Sequence, residues 1–249
     1  MRVALLADVH SNLPALEAVL AMLEEVSPDR TLCLGDLVGY NADPVECIDR
    51  LRDCCDLIVA GNHDKEVASG RPSTGTNSAA RRAIEWTQAA LDSEQLRFLD
   101  SLPNLAIDSS GMVAIHGCYL NPHHYSGYIT STMLDANLKV IASRPEWPKV
   151  GLCGHTHIPM LGWWRLRTAS EHDLSRPEVW PQDAEAVLVN PGSVGQPRDG
   201  DPRASFVVVD TMESRVECHR VEYDVDAAIS SITRAGLPES LGERLRQGL

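Results

Sequence analysis

Basic residues are scarce in this sequence. Its 249 residues include 22 Lys and Arg against 35 Asp and Glu, which gives a formal net charge of −13. Extended nucleic acids and anionic membranes are bound by positive surfaces, so the composition argues against both as partners. It does not exclude a small anionic substrate, because a bound divalent metal reverses the local field.

Long apolar runs and paired cysteine motifs are also missing. No run approaches the ~18 residues of a membrane span, and the apolar start reaches Asp8 too soon for a signal peptide. The seven cysteines include no C-x-x-C pair. We therefore expect reduced thiols in a cytoplasmic protein, with a regulatory disulfide between the neighbours Cys54 and Cys55 as the minor alternative.

The first third of the chain alternates between strand and helix patterns. Apolar runs predict strands at 3–7, 31–34 and 57–60, and helical spacing predicts helices at 13–23 and 44–52. This β-α-β-α-β order favours a largely parallel sheet covered by helices.

The rest of the chain has more strands and shorter connections. With no repeat or linker in the sequence, we expect a single domain over residues 1–249, with two sheets of which the second is the more antiparallel. The polar segment 165–183 is expected to be a surface loop. Strands are predicted at 104–108, 112–116, 149–153, 160–164, 186–190, 205–210 and 215–221, and helices within 76–100 and at 130–142, 225–235 and 238–247.

Short polar motifs stand where the predicted strands end. Ligands in α/β proteins collect beyond the carboxyl ends of the strands, so these motifs are expected to meet. Two of them are specific, since this composition would produce Gly-Asn-His-Asp only about 0.0015 times and Gly-His-Thr-His about 0.0008 times by chance. The motifs are Asp8-Val9-His10, Gly35-Asp36, Gly61-Asn62-His63-Asp64, His116-Gly117 and Gly154-His155-Thr156-His157.

The side chains of these motifs predict a two-metal centre. Carboxylates with imidazoles suit Mn, Fe or Zn better than Ca or Mg. One bridging carboxylate among seven ligands would hold two ions about 3.5–4 Å apart, with a shared hydroxide to attack phosphorus. Taken singly, Asp8 and Asn62 have the alternative role of helix caps, Gly35-Asp36 that of a turn, and His116 that of a satisfied core histidine.

The complete motif set resembles the calcineurin-like metallophosphoesterase superfamily, and in particular its compact prokaryotic phosphodiesterase-type members. The tract 190–198 and the pairs Trp86-Thr87 and Leu102-Pro103 are also similar to theirs. The resemblance implies an α/β fold, a four-layer α/β/β/α sandwich of two mixed β-sheets flanked by helices, with the metals at the strand ends.

The resemblance also implies a role for each motif residue. His63 would not be a ligand but would protonate the leaving oxygen or bind the phosphate. Some relatives carry an aspartate where Gly39 stands, and it orients the catalytic histidine. Asp64 is a candidate for that task here, its alternative role being that of a first-turn helix residue. One ion would take Asp8, His10, Asp36 and His157, and the other Asp36, Asn62, His116 and His155.

Residues that bind the substrate carry a weaker signal. His123, His124 and Tyr125 follow His116 closely and are predicted to contact phosphate or a base, with a plain surface loop as the alternative. Arg198 is predicted to clamp a phosphate, and Arg203 is considered for the same role, although such arginines more often tie down a loop.

The sequence therefore predicts a two-metal hydrolase of a small phosphorylated molecule, either a phosphodiester or a nucleotide phosphoanhydride. Asp36, as the bridging ligand, and His63, as general acid, are the expected catalytic residues. The alternatives are a phosphomonoesterase of the same fold, a nuclease of the same chemistry and a non-enzymatic protein-binding scaffold. The histidine at position 63 favours catalysis over the scaffold, and the net charge argues against the nuclease. Metal identity, physiological substrate and oligomeric state are left open.

Overall fold

A computed structural model describes residues 1–122 and 127–249 of the chain. Within these ranges there are eight helices and twelve strands. The helices are α1 (Leu13–Val26), α2 (Pro44–Cys54), α3 (Asn62–Ser69), α4 (Ser78–Ala90), α5 (Ser93–Ser101), α6 (Ser131–Ala142), α7 (Val225–Arg234) and α8 (Glu239–Gln247). The strands are β1 (Arg2–Leu6), β2 (Arg30–Cys33), β3 (Leu57–Ile58), β4 (Leu105–Asp108), β5 (Met112–Ile115), β6 (Val150–Leu152), β7 (Pro159–Arg165), β8 (Thr168–His172), β9 (Glu178–Val179), β10 (Ala186–Pro191), β11 (Ala204–Asp210) and β12 (Arg215–Val221).

The strands form two sheets of six. The first has the order β3-β2-β1-β11-β12-β9 and the second β4-β5-β6-β10-β7-β8. Strands β1, β2 and β3 are parallel in the first sheet, as are β5, β6 and β10 in the second, and the remaining pairings are antiparallel. The expectation that the second sheet is the more antiparallel is wrong, because β11 and β12 pair onto β1 instead of extending the second sheet.

Alternating apolar residues bury both faces of the central strands. Val3 and Leu5 of β1 point between the two sheets, whereas Ala4 and Leu6 point towards α1 and α2. Strand β10 does the same in the second sheet, with Leu188 packing in the cluster that contains α6. The predicted four-layer α/β/β/α sandwich is therefore confirmed. The single domain over residues 1–249 stays a prediction.

The polar segment 165–183 is not the loop that its composition indicated. Strand β8 forms a hairpin with β7, and the two-residue β9 pairs with β12. Leu166 and Arg167 turn the hairpin with φ values of +52° and +63°, the left-handed conformation that tight hairpin turns require. Both added strands lie at sheet edges, where one side of each strand has no neighbour and polar residues are tolerated.

The other predicted elements are confirmed, with ends shifted by a few residues. Helix α1 begins where Asn12 accepts the backbone N–H of Ala15, with Pro14 in its first turn. Helix α3 is an additional element that directly follows the Gly61-Asn62 turn. Its position fixes the side chains of the Gly-Asn-His-Asp motif at the end of β3.

All seven cysteines are free thiols. The sulfur atoms of Cys54 and Cys55 are 3.7 Å apart. Among the described residues, no helix combines the length and the apolar character needed to cross a membrane.

Candidate metal centre

The polar motifs converge at the carboxyl ends of the strands of both sheets. Asp8 and His10 follow β1, and Asp36 follows β2. Gly61-Asn62-His63 follows β3. His116 follows β5, and the pair His155 and His157 follows β6. The aspartates and histidines of the motifs are buried, with exposed fractions from 0% to 7%.

Ligand-type atoms form two groups on either side of the Asp36 carboxylate. In the first group, the Nε2 of His157 lies 3.3 Å from Asp8 Oδ1 and 3.2 Å from the Nε2 of His10. The Nε2 of His10 is also 3.6 Å from Asp36 Oδ2.

The second group lies on the other side of the same carboxylate oxygen. Asp36 Oδ2 is 3.3 Å from the Nε2 of His116, which is 3.2 Å from the Nδ1 of His155. The two groups fit metal binding by distance: Asp8, His10 and His157 each offer one atom within 4.8 Å of the others, as do Asp36, His116 and His155. A third set that meets the same distance overlaps both groups and consists of His10, Asp36 and His63.

Backbone carbonyls orient three of the imidazoles. The Nδ1 of His10 donates to Val38, that of His116 to Leu34 and that of His157 to Gln196, over 3.0, 2.7 and 2.6 Å. Because a carbonyl only accepts, each Nδ1 carries a proton, and Nε2 is the nitrogen that each ring turns inward. This is the outer arrangement that metal-bound histidines typically show.

The two central carboxylates have opposite pKa shifts. Burial raises the pKa of Asp8 to about 7, although the nearby His116 opposes it. Burial also acts against the charge of Asp36, but the neighbouring His116 and His63 outweigh it and hold the pKa of Asp36 well below its usual range. Asp36 is thus the anion between the two groups.

Most of the imidazoles are held neutral. Burial lowers the pKa of His10 and of His157 well below the ordinary value, and burial together with His116 lowers that of His155 to about 3. His116 is the exception, because Asp36 outweighs burial and raises its pKa to about 9. Neutral imidazoles are the form that binds metals.

Asn62 provides an independent test of the fit. It lines the cavity at the site, and its Oδ1 is buried without a hydrogen-bond donor among the described residues. An amide oxygen in that state carries an uncompensated cost. A cation between the two groups would satisfy the Asn62 oxygen together with the inward-facing histidine nitrogens. The residues present therefore fit a bound metal.

The backbone is strained where these side chains leave the strands. Non-glycine residues rarely have positive φ, and such strain concentrates at functional sites. The strain here is shared by residues that supply ligand-type atoms. They are Asp8, His10, Asp36, His155 and His157, with φ values of +54°, +49°, +54°, +69° and +62°.

His63 lies beside the two groups and packs against aromatic rings. Its ring centroid is 4.8 Å from that of His10 and 4.5 Å from that of Tyr40. A Cβ on Gly39, whose φ is +93°, would lie 2.5 Å from the Nδ1 of His63. The imidazole therefore occupies the space that a side chain at position 39 would need.

Asp64 organises the backbone around His63. Its carboxylate accepts the N–H groups of Gly61, Asp36 and Leu37, over 2.8, 2.9 and 2.9 Å. These bonds join the loop after β2 to the first turn of α3. Asp64 is thus a first-turn helix residue, and no hydrogen bond from it to the His63 imidazole occurs within residues 1–122 and 127–249.

Tyr40 is a site residue that the motif analysis did not single out. Its ring packs edge-on against His10, with centroids 4.6 Å apart. The guanidinium of Arg198 lies 5.8 Å from the centre of this ring and donates to Gln196 Oε1 over 3.1 Å. The available signal was an aromatic residue four positions after the Gly35-Asp36 motif.

The substrate-binding predictions have mixed outcomes. Arg198 lines a cavity of about 400 Å³ that reaches Asp36, Asn62 and His63. Arg203 instead pairs with Asp201, away from this cavity.

Three other predicted substrate residues, His123, His124 and Tyr125, lie outside the described residues. Tyr128, which the sequence analysis did not name, lines the cavity and stacks on His155 with ring centroids 4.2 Å apart.

Comparison with known proteins agrees with this geometry. Residues 1–214 match the calcineurin-like phosphoesterase superfamily domain. An uncharacterized protein of Methanocaldococcus jannaschii is 35% identical over 255 residues, covering 99% of this chain and 98% of that protein.

Two solved structures resemble the whole chain. A metallophosphoesterase from Sphaerobacter thermophilus is 34% identical with a TM-score of 0.85, covering 100% of this chain and 99% of the other. A hypothetical protein from Pyrococcus horikoshii shares the fold at 23% identity and a TM-score of 0.80, covering 100% and 98%. The chain therefore belongs to the calcineurin-like phosphoesterase superfamily and is a metal-dependent phosphoesterase.

Proposed function

We propose that the protein hydrolyses a small phosphorylated molecule, a phosphodiester or a nucleotide phosphoanhydride, at a centre of two transition-metal ions. The observation that carries the proposal is the Asp36 carboxylate between two groups of inward-facing ligand atoms, 3.6 Å from His10 on one side and 3.3 Å from His116 on the other. A small substrate suits the cavity of about 400 Å³.

Each ion would have its own ligands and share Asp36. The Oδ1 of Asn62 is buried and has no donor among residues 1–122 and 127–249, which supports its place in the second set. The imidazole and carboxylate donors favour Mn, Fe or Zn, and Mn is our first choice for reconstitution. The first set is Asp8, His10, Asp36 and His157, and the second is Asp36, Asn62, His116 and His155.

Bound at this position, the two ions would supply Lewis acidity towards the phosphate oxygens and an acidified water as nucleophile. The protein's own contribution is rigidity. Backbone carbonyls hold the imidazoles of His10 and His116, and Asp64 accepts the backbone N–H of Asp36. These bonds fix the ligands before the substrate binds.

His63 is proposed as the general acid. Its Nδ1 is turned to Gly39, so Nε2 is the nitrogen that would carry a proton to the leaving oxygen. Burial lowers the pKa of His63, and the charge of Asp36 opposes this. Tyr40 and His10 hold the ring in place from two sides.

Arg198 is proposed to bind a phosphate oxygen of the substrate. It lines the cavity, and its bonds to Tyr40 Oη and Gln196 Oε1, at 3.4 and 3.1 Å, involve neutral acceptors. His123, His124 and Tyr125 stay predictions for the same role. The free thiols support the further proposal that the protein works in the cytoplasm, where disulfides are rare.

A substrate screen on protein reconstituted with Mn²⁺ tests the function. It compares aryl phosphate monoesters and diesters, cyclic nucleotides and dinucleoside polyphosphates at matched concentrations, with chelator-treated protein as the control. We expect metal-dependent turnover of a diester or an anhydride. Preference for the monoesters would identify a phosphomonoesterase instead, and inactivity of the loaded protein on every compound would contradict the proposal.

A further inference from the structure

Tyr128 is an exposed aromatic ring in the wall of the candidate site. It lines the cavity that reaches Asp36 and is 50% exposed. Tyr40 is the other tyrosine that lines this cavity within the described residues, and it is 7% exposed. The rings of His10 and His63 pack against Tyr40. A flat substrate group that enters the cavity would therefore find its open aromatic surface at Tyr128.

A histidine of the metal site covers one face of the Tyr128 ring. The ring stacks on His155, with centroids 4.2 Å apart and an angle of 17° between the two planes. A flat ring has two faces, and the stack covers one of them. Because the residue is still 50% exposed, the opposite face of the ring is open.

Other aromatic residues that stack on histidines are buried. Trp163 and Phe206 form such stacks, with centroids 3.7 and 4.7 Å apart. Their exposed fractions are 9% and 0%, and both belong to apolar clusters of the core. Those two stacks are part of the packing of the sheets, whereas the stack of Tyr128 lies at the cavity.

The neighbours of Tyr128 in the chain hold it in this position. Gly127 packs so closely against Cys118 that a Cβ at position 127 would overlap the cysteine sulfur. Ile129 is 2% exposed and lies in the apolar cluster that contains α6. The exposure of the Tyr128 ring is therefore a property of an anchored position.

His155 links this ring to the place where the phosphate would react. It belongs to the second proposed ligand set, and Tyr128 packs directly on its imidazole. Tyr128 also lines the same cavity as Asp36 and Asn62 of that set. A group attached to a phosphate at the metals would therefore extend into a cavity that Tyr128 borders. Exposed aromatic side chains of this kind are the surfaces on which bases and other flat rings stack.

We propose that the open face of Tyr128 stacks on a flat aromatic group of the substrate, a nucleobase or an aryl group, attached to the phosphate that is hydrolysed. This inference rests on the proposed function and narrows it to substrates that carry such a group. Stacking on a side chain tolerates many rings, because every base has a π-face. Tyr128 would thus contribute to affinity and selectivity, and the ligand groups and His63 to the chemical step.

Binding to Mn²⁺-loaded protein tests the assignment with two matched pairs of ligands. AMP and ribose 5-phosphate differ in the nucleobase, and phenyl phosphate and ethyl phosphate differ in the aryl ring. Calorimetric titration gives the ratio of Kd values within each pair, and the ratio of kcat/KM values replaces it where a ligand is hydrolysed. We expect the wild type to prefer the aromatic member of at least one pair by about 10-fold, and Tyr128→Ala to lose that preference. The pair that shows the preference identifies the ring as a nucleobase or an aryl group.

Further variants separate stacking from a structural role. Tyr128→Phe keeps the ring and should keep the preference. Tyr128→Leu still covers His155 but has no aromatic face, and it should lose most of the preference while its metal content stays near normal. His172→Ala removes one ring from the stack with Trp163, outside the cavity, and should match the wild type with all four ligands.

The outcomes distinguish this inference from the proposed function. Equal affinities within both pairs in the wild type, or a preference that survives in Tyr128→Ala, would overturn the inference. Equal losses for aromatic and ring-free ligands in Tyr128→Ala would also overturn it, because the ring would then only cover His155. A preference that depends on Tyr128, with no hydrolysis of any diester or anhydride, would defeat the proposed function alone.

Discussion

Asp108 on one side, and Asp8 and Asp36 on the other, are buried aspartates at opposite ends of the strands. Their charges are balanced in different ways. Asp108 ends β4, at the edge away from the site, and accepts Arg30 Nη2 over 2.9 Å and the backbone N–H of Ser110 over 2.7 Å. Asp8 and Asp36 have no Lys or Arg ion-pair partner in the described part of the chain. The charge of Asp108 is compensated by groups of the protein itself. Asp8 and Asp36 would be compensated by bound cations.

The pKa values express the same contrast. Burial acts to raise the pKa of Asp108, but the Ser110 bonds and Arg30 outweigh it, so that this pKa lies below its ordinary value. At the other edge, burial and Asp36 raise the pKa of Asp8 to about 7. The carboxylates at the candidate metal centre are therefore arranged for binding, at the expense of the stability of the metal-free protein.

The largest effect is expected at the shared ligand. Asp36→Asn should remove nearly all activity and weaken both ions together, because one carboxylate serves both sets. Asn62→Ala is the matched variant and should weaken one ion only. Metal content by mass spectrometry after dialysis checks both. Loss of a single ion in Asp36→Asn would show that the carboxylate is not shared.

His63 tests whether the candidate metal centre contains a residue that acts without binding metal. His63→Ala should keep near-normal metal content but lower kcat on substrates with poor leaving groups by about 10²- to 10⁴-fold. A p-nitrophenyl ester, whose leaving group needs little protonation, serves as the internal control. If kcat is unchanged on an alkyl phosphodiester, His63 is not the general acid.

Asp8→Asn should stabilise the metal-free protein, whereas most substitutions of buried residues destabilise a fold. In chelator-treated protein at pH 8, we expect the free energy of unfolding to rise by about 1–3 kcal/mol, because a buried charge near Asp36 is removed. With Mn²⁺ present the variant should lose the stabilisation that the wild type gains. Thermal unfolding with and without metal measures both, and a less stable metal-free variant would contradict the comparison.

Asp108→Asn should destabilise the protein, and its effect should be the smallest of those predicted. We expect a loss of about 1–2 kcal/mol at pH 7, since a charge-assisted bond to Arg30 is weakened. The pKa of Asp108 is lowered in the folded state, so its contribution is present above the unfolded pKa of about 3.9 and disappears as the pH falls further.

Urea unfolding of both proteins between pH 3 and pH 7 checks the Asp108 prediction. The difference between wild type and variant should shrink below about pH 4. Asp56→Asn is the control, because Asp56 is the more exposed partner of Arg30, and its effect should stay within about 0.5 kcal/mol. A difference that is constant over this pH range would disconnect Asp108 from the ion pair.

Residues with strong local signals made most of the fold predictable. Asn12 and Pro14 indicate the start of α1, and the apolar alternation of β1 and β10 indicates strands buried on both faces. Edge strand β8 was not found, because its residues are polar and its pairing with β7 depends on a hairpin turn without glycine. Chain order also does not reveal that β11 pairs with β1.

The site was predictable to the extent that it consists of motifs. The motif aspartates and histidines converge because the carboxyl ends of strands from both sheets meet at one edge. Tyr40 ends the tract that begins at Gly35-Asp36, but nothing in that tract indicates that its ring packs against His10 and His63. Its surroundings depend on the docking of α8 against α4 and the loop after β2, which is a tertiary contact between distant parts of the chain.

The most direct test of the shared Asp36 carboxylate is a crystal structure of the protein prepared with Mn²⁺, using anomalous scattering to locate the ions. We expect two peaks about 3.5–4 Å apart, one beside His10 and His157 and the other beside His116 and His155, with Asp36 between them. A single peak, or two peaks that do not both contact Asp36, would contradict this expectation.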